Sequence, residues 1–250
     1  MIAPSCFSIC AKSASERPLV IGIMPDDGTV KVHPPILRIF NSLVAKLSAA
    51  GHEILEWDTP SLNAECISIM DTYYTVDGGE DLRCAVMEGG EPFIPHVQSL
   101  INRTPAISVY EYWQLNKRKI AAQQKYFDTW SQKCSPISGR PMDILLAPVM
   151  PHTAVPHRSC RWVGYTKMWN FLDYTALCFP AGKVSKELDE DPEESKANTH
   201  EPRNAIEEFT QSLFDINEMD GLPVGLQIVG RRYEEEKVLG AAQQVERLLK

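Results

Sequence analysis

Residues 19–57 read LVIGIMPDDGTVKVHPPILRIFNSLVAKLSAAGHEILEW. Leu19 to Met24 is a continuous apolar run, as expected of a strand covered on both faces. Asp26-Asp27-Gly28 is a turn signal. Pro34 and Pro35 stand where a helix can begin, because an N-terminal helical residue needs no N–H partner. Ile36, Phe40, Leu43, Val44 and Leu47 repeat at helical spacing, and Gly51 is a natural stop. His52 to Trp57 returns as a second strand. Strand, helix, strand is the unit of an α/β fold.

The same alternation continues. Residues 61–77 predict a helix with Leu62, Ile69, Met70 and Tyr73 on one face, ended by Gly78-Gly79. Ser108-Val109-Tyr110-Glu111 is a capping box that opens the longest helix, running to about Gln132. Asp143 to Pro148 is a buried strand, Thr166 to Thr175 a short helix, and Cys178-Phe179 lies in an apolar strand. Val224 to Val229 is the last strand and Glu234 to Leu249 the last helix. Six acids between Glu187 and Glu194 repel one another, so 185–203 is expected to be an acidic loop or disordered insert. Residues 1–16 have no basic start and a broken apolar run. They make a poor signal peptide and are expected to be an unstructured leader.

Composition bounds the function. The chain has 250 residues and a formal charge of −8, with 44% apolar and 23% charged residues. That suits a globular chain with a real core. It excludes collagen-like, coiled-coil and disulfide-scaffold classes. The acidic balance argues against a nucleic-acid backbone or an anionic membrane surface as partner. No run approaches the roughly 20 apolar residues of a membrane span. Seven scattered cysteines without a CxxC predict reduced thiols and a cytoplasmic location.

The chemistry is sparse. There is no GxSxG, no Ser-x-x-Lys pair, no GxGxxG and no Gly-Lys-Ser. Ser138-Gly139 lies in a loop before Arg140-Pro141 and reads as structural. His152, His157 and Cys160 are broken up by Pro151 and Pro156 and read as loop residues, not metal ligands. Asp26-Asp27-Gly28 lacks the later ligands of a calcium loop. Tyr165, Thr166, Trp169, Asn170 and Asp173 form aromatic and polar faces at helical spacing. A small-molecule pocket and a core helix with satisfied polar groups explain them equally well.

Gly22-Ile23, Asp27-Gly28-Thr29-Val30, His33-Pro34-Pro35 and Ala50-Gly51-His52-Glu53 follow in order. So do Asp143-Ile144-Leu145-Leu146-Ala147-Pro148, Gly164-Tyr165-Thr166, Trp169-Asn170 and Leu172-Asp173-Tyr174, and finally Gly221 to Arg232. Together these resemble the amidase-signature family, in its fungal acetamidase and general amidase branch, from about residue 17 to the end. The resemblance implies the C-terminal portion of that fold, a mixed sheet covered by helices, with 17–250 a partial domain. It implies hydrolysis of carboxylic amides without cofactor or metal, by a Lys and two Ser in a Gly-Ser-rich segment upstream of these residues. No residue here matches that triad, so no catalytic residue is assigned and the chain alone is expected to be inactive. The alternative is a non-catalytic partner of an active amidase. Tyr165, Thr166, Trp169, Asn170 and Asp173 fall in the segment that resembles the substrate-facing helix. Sheet surface left uncovered is expected to support homo- or hetero-oligomers.

Overall fold

A computed structural model describes residues 17–189 and 201–249. The leader at 1–16 and most of the acidic stretch lie outside the described residues. The elements in chain order are β1 (Val20–Ile23), α1 (Pro34–Ala49), β2 (Glu53–Glu56), α2 (Pro60–Tyr73), α3 (Glu80–Glu88), α4 (Pro95–Ile101) and α5 (Val109–Gln132). Then come β3 (Ile144–Pro148), α6 (Gly164–Leu172), β4 (Ala176–Lys183), α7 (Lys186–Asp189), α8 (Ala205–Ser212), α9 (Ile216–Met219), β5 (Pro223–Val229) and α10 (Glu235–Leu249).

The five strands form one sheet in the order β2-β1-β3-β5-β4. β1 runs parallel to β2 and β3, whereas β5 is antiparallel to both β3 and β4. The mixed sheet covered by helices is therefore present. Val20, Ile21 and every residue of β3 are buried, as continuous apolar runs in inner strands require. α1 and α10 pack against β4 and β5. On α1, Ile36, Ile39, Phe40, Leu43 and Leu47 are buried, the stripe that the spacing predicted.

Several boundaries differ from the sequence reading. α2 ends at Tyr73, and after a turn a separate short helix, α3, starts beyond Gly79. α3 buries no residue, so it leaves no apolar stripe to read. α6 stops at Leu172 because Asp173 turns left-handed, at φ 57°, and β4 follows at once. Within the stretch read as an acidic loop or disordered insert, residues 186–189 are helical. Asp189 is not solvated there; its carboxylate is held by Arg38 at 2.5 and 2.8 Å.

β4 is an edge strand. Ala176, Cys178 and Pro180 are exposed while Leu177, Phe179 and Ala181 are half-buried. Pro223 and Gly225 of β5 are also exposed. Apolar sheet surface is open here among the described residues.

Candidate functional site: the α6 helix and the loops around it

The turn at 26–30 sets the entrance to α6. Asp27 is fully buried. Its carboxylate accepts hydrogens from the Thr29 and Val30 amides at 2.8 and 2.9 Å and from Trp162 Nε1 at 2.7 Å. Burial pushes its pKa upward, and these three donors oppose that only in part. The segment read as a turn is thus a buried polar hub. Gly28 sits at φ 86°, which a side chain would resist. Gly164 opens α6 so close to the hub that a Cβ there would lie 2.7 Å from Asp27 Oδ2 and 2.5 Å from the Trp162 ring.

The five residues singled out from the sequence part company on α6. Tyr165 is fully buried; its hydroxyl donates to the Val30 carbonyl at 2.8 Å and accepts from the Asp27 amide at 3.2 Å. Trp169 is buried edge-to-face against Tyr126, in a cluster that also includes Trp57, Trp130 and Tyr174. Thr166 and Asn170 face outward, and Asn170 donates back to the Thr166 carbonyl at 3.2 Å. Asp173 is exposed and meets Arg232 at 2.5 Å. The structure therefore brings Tyr165 and Trp169 together in the core and leaves Thr166, Asn170 and Asp173 on the surface side.

A concavity of about 440 Å³ lies on the open face of β4 and β5, walled by the loop after β3. Met150, His152, Thr153, Cys178, Phe179 and Pro180 are among its lining. His152 and Thr153 belong to a loop, as the sequence indicated, yet both are buried. His152 bonds the Thr153 carbonyl through Nδ1 at 2.7 Å, so that nitrogen carries the hydrogen. Its Nε2 and the Thr153 hydroxyl are buried without a partner. His33 stands 6.2 Å away, ring to ring, and donates from Nε2 to the Thr210 carbonyl at 2.8 Å, leaving Nδ1 unpartnered. Burial lowers the His33 pKa to about 4. Buried polar atoms without partners are rare in folded chains and mark positions where a ligand or water can bond. Sequence reading missed this pair. The signal was His33-Pro34-Pro35, whose histidine precedes a helix it does not cap.

Among the described residues, no three His, Cys, Asp or Glu side chains converge as metal ligands. No described helix is long and apolar enough to cross a membrane.

The chain is a mixed α/β fold, a five-stranded sheet covered by helices beside a buried polar hub, and comparison with known proteins narrows it. Residues 5–239 match the family described as Amidase, and the chain belongs to that family. It is similar to Amidase 1 of Gibberella moniliformis, 61% identical over 234 residues, covering 94% of this chain and 44% of that protein. It is 32% identical to an acetamidase of Emericella nidulans, covering 96% of this chain and 43% of that protein. Among solved structures, a fatty acid amide hydrolase superposes with a TM-score of 0.82 at 28% identity, covering 94% of this chain and 40% of that one. The chain thus spans under half the length of the curated relatives it matches.

Proposed function

We propose that this chain forms the substrate-facing, non-nucleophilic part of a hydrolase of carboxylic amides, acting on a C–N bond outside peptides, and that it is inactive alone. The observation that carries the reading is the 61% identity to a fungal amidase across almost the whole chain. The chain has no Gly-Ser-rich segment bearing a nucleophilic Ser, a second Ser and a Lys. Without a nucleophile, a base and oxyanion donors, the residual rate falls to background. In this reading Thr166 and Asn170 meet the small-molecule amide from the outer side of α6. Tyr165 and Trp169 hold the helix in place, and Asp173 with Arg232 closes its end. The five described cysteines are all free thiols, which supports a reducing, cytoplasmic setting.

Purified chain incubated with acetamide or benzamide is expected to release no ammonia above buffer. Turnover that follows the protein through successive columns overturns the claim of inactivity. The open face of β4 and β5 favours a second reading, a non-catalytic partner of an active amidase. A stable complex with an intact relative on size-exclusion chromatography supports that reading, and separate elution of the two proteins removes it.

A further inference from the structure

A cavity of about 650 Å³ lies away from the open sheet face. It is walled by α2, α4, the loop at 158–163 and the buried side of α6. Its lining carries Arg103, Arg158, Arg161 and Lys167 against a single acid, Asp71. The local charge is 4 − 1 = +3 with His96 neutral, in a protein whose formal charge is −8. The one carboxylate is already shared: Lys167 Nζ lies 2.6 Å and Arg103 3.5 Å from Asp71 Oδ1. Arg161 stacks on the Phe209 ring at 3.6 Å and meets no acid among the described residues. Arg158 has no carboxylate partner among the described residues and sits at φ 68°, in a left-handed conformation that costs a non-glycine residue energy. Such strain persists where the surroundings impose it, often at ligand clamps.

Converging cations with one shared counter-ion repel one another, and an anion in their midst relieves that repulsion. Guanidinium forks match carboxylates two bonds at a time. Tyr74, Leu100 and Val163 supply apolar wall between the cations, suited to a carbon skeleton. We propose that this cavity is a binding site for a small organic dicarboxylate with an apolar body, held by Arg103, Arg158, Arg161 and Lys167. The site stands apart from the hydrolase reading, because binding needs no turnover.

The test is calorimetric titration of the purified chain at constant ionic strength with phthalate, with the uncharged phthalamide and with inorganic phosphate. Saturable phthalate binding is expected, at least about tenfold tighter than phthalamide or phosphate. Arg158→Gln and Arg161→Gln are each expected to weaken it about tenfold, the usual effect of losing one charge-assisted bond. Arg158→Gly separates binding from folding, since glycine accepts the left-handed backbone. It should keep or raise the thermal midpoint and lose affinity to the same degree. Phthalamide or phosphate binding as tightly as phthalate, or phthalate binding that survives all three variants, overturns the assignment. Neither result bears on amide hydrolysis.

Discussion

Gln227 lies buried in β5 and donates its side-chain amide to the Pro148 carbonyl at 2.6 Å and the Tyr165 carbonyl at 2.9 Å. One side chain thereby ties the end of β3 and the first turn of α6 to the sheet. Gln227→Leu leaves two carbonyls without that donor. It is expected to cost about 3 kcal/mol, read as a lower urea midpoint at unchanged slope. A change under about 0.5 kcal/mol would mean that water replaces the amide. His33 gives a pH dependence. Its folded pKa, about 4, lies below the ordinary 6.5, so between those values the unfolded chain binds a proton that the folded one refuses. Stability is full above pH about 6.5 and falls as pH drops toward about 4, by roughly 3 kcal/mol for this group. His33→Gln keeps a donor for the Thr210 carbonyl and cannot titrate, so melts of this variant should show a flatter slope across that window. An unchanged slope assigns the dependence elsewhere, with buried His52, whose pKa burial also lowers, the next group to test.

At the scale of elements, α5 begins on a complete capping box. Ser108 Oγ accepts from the Glu111 amide at 3.2 Å, and Glu111 Oε2 accepts from the Ser108 amide at 2.8 Å. Ser108→Ala is expected to cost about 1 kcal/mol and to fray the first turn, seen as faster amide exchange at residues 109–112. Protection equal to wild type would show that packing alone holds this end. α8 shows what local pattern does not reveal. Arg203 forks onto Asp26 at 2.9 and 2.5 Å, Glu207 accepts from the Lys31 amide at 2.7 Å, and Asn204 donates to the Thr29 carbonyl at 2.8 Å. This eight-residue helix is fastened mainly by polar bonds to a loop about 180 positions earlier, and the residues it buries are Glu207 and Thr210, so its inward face is polar and not an apolar stripe. Its Asn204 cap, which accepts from the Ile206 and Glu207 amides, is a local sign of where it starts.

Over the whole molecule, the core is continuous from α1 through the sheet to the Trp57, Tyr126 and Trp130 cluster, yet apolar surface stays open. On α5, Val109, Trp113, Ile120 and Phe127 form an exposed stripe on the side away from buried Leu115, Ala122, Tyr126 and Trp130. Together with the outer face of β4 this predicts strong binding of a hydrophobic dye by the folded chain. The double variant Trp113→Glu with Ile120→Lys should reduce that fluorescence severalfold without changing the thermal midpoint by more than a few degrees. Unchanged fluorescence places the accessible apolar area elsewhere, with the β4 face the first alternative.

The sequence alone determined the fold class, the order of strands and main helices, the capping box and the family. Each is written in contacts between near neighbours, in periodicity along a segment, or in motifs of adjacent residues. It also singled out α6, whose Tyr165 and Trp169 share a face at a spacing of four. Only tertiary structure decided that this face lies in the core while Thr166, Asn170 and Asp173 look outward. A two-sided helix carries no label saying which side meets solvent. The buried His33 and His152 pair, and the cationic cavity that gathers Arg103, Arg158, Arg161 and Lys167, are likewise products of the fold. Their members are separated by up to 119 positions and come from different elements (His33 to His152, 152 − 33 = 119). The charge and burial that give them chemistry exist only once the sheet has brought those segments together.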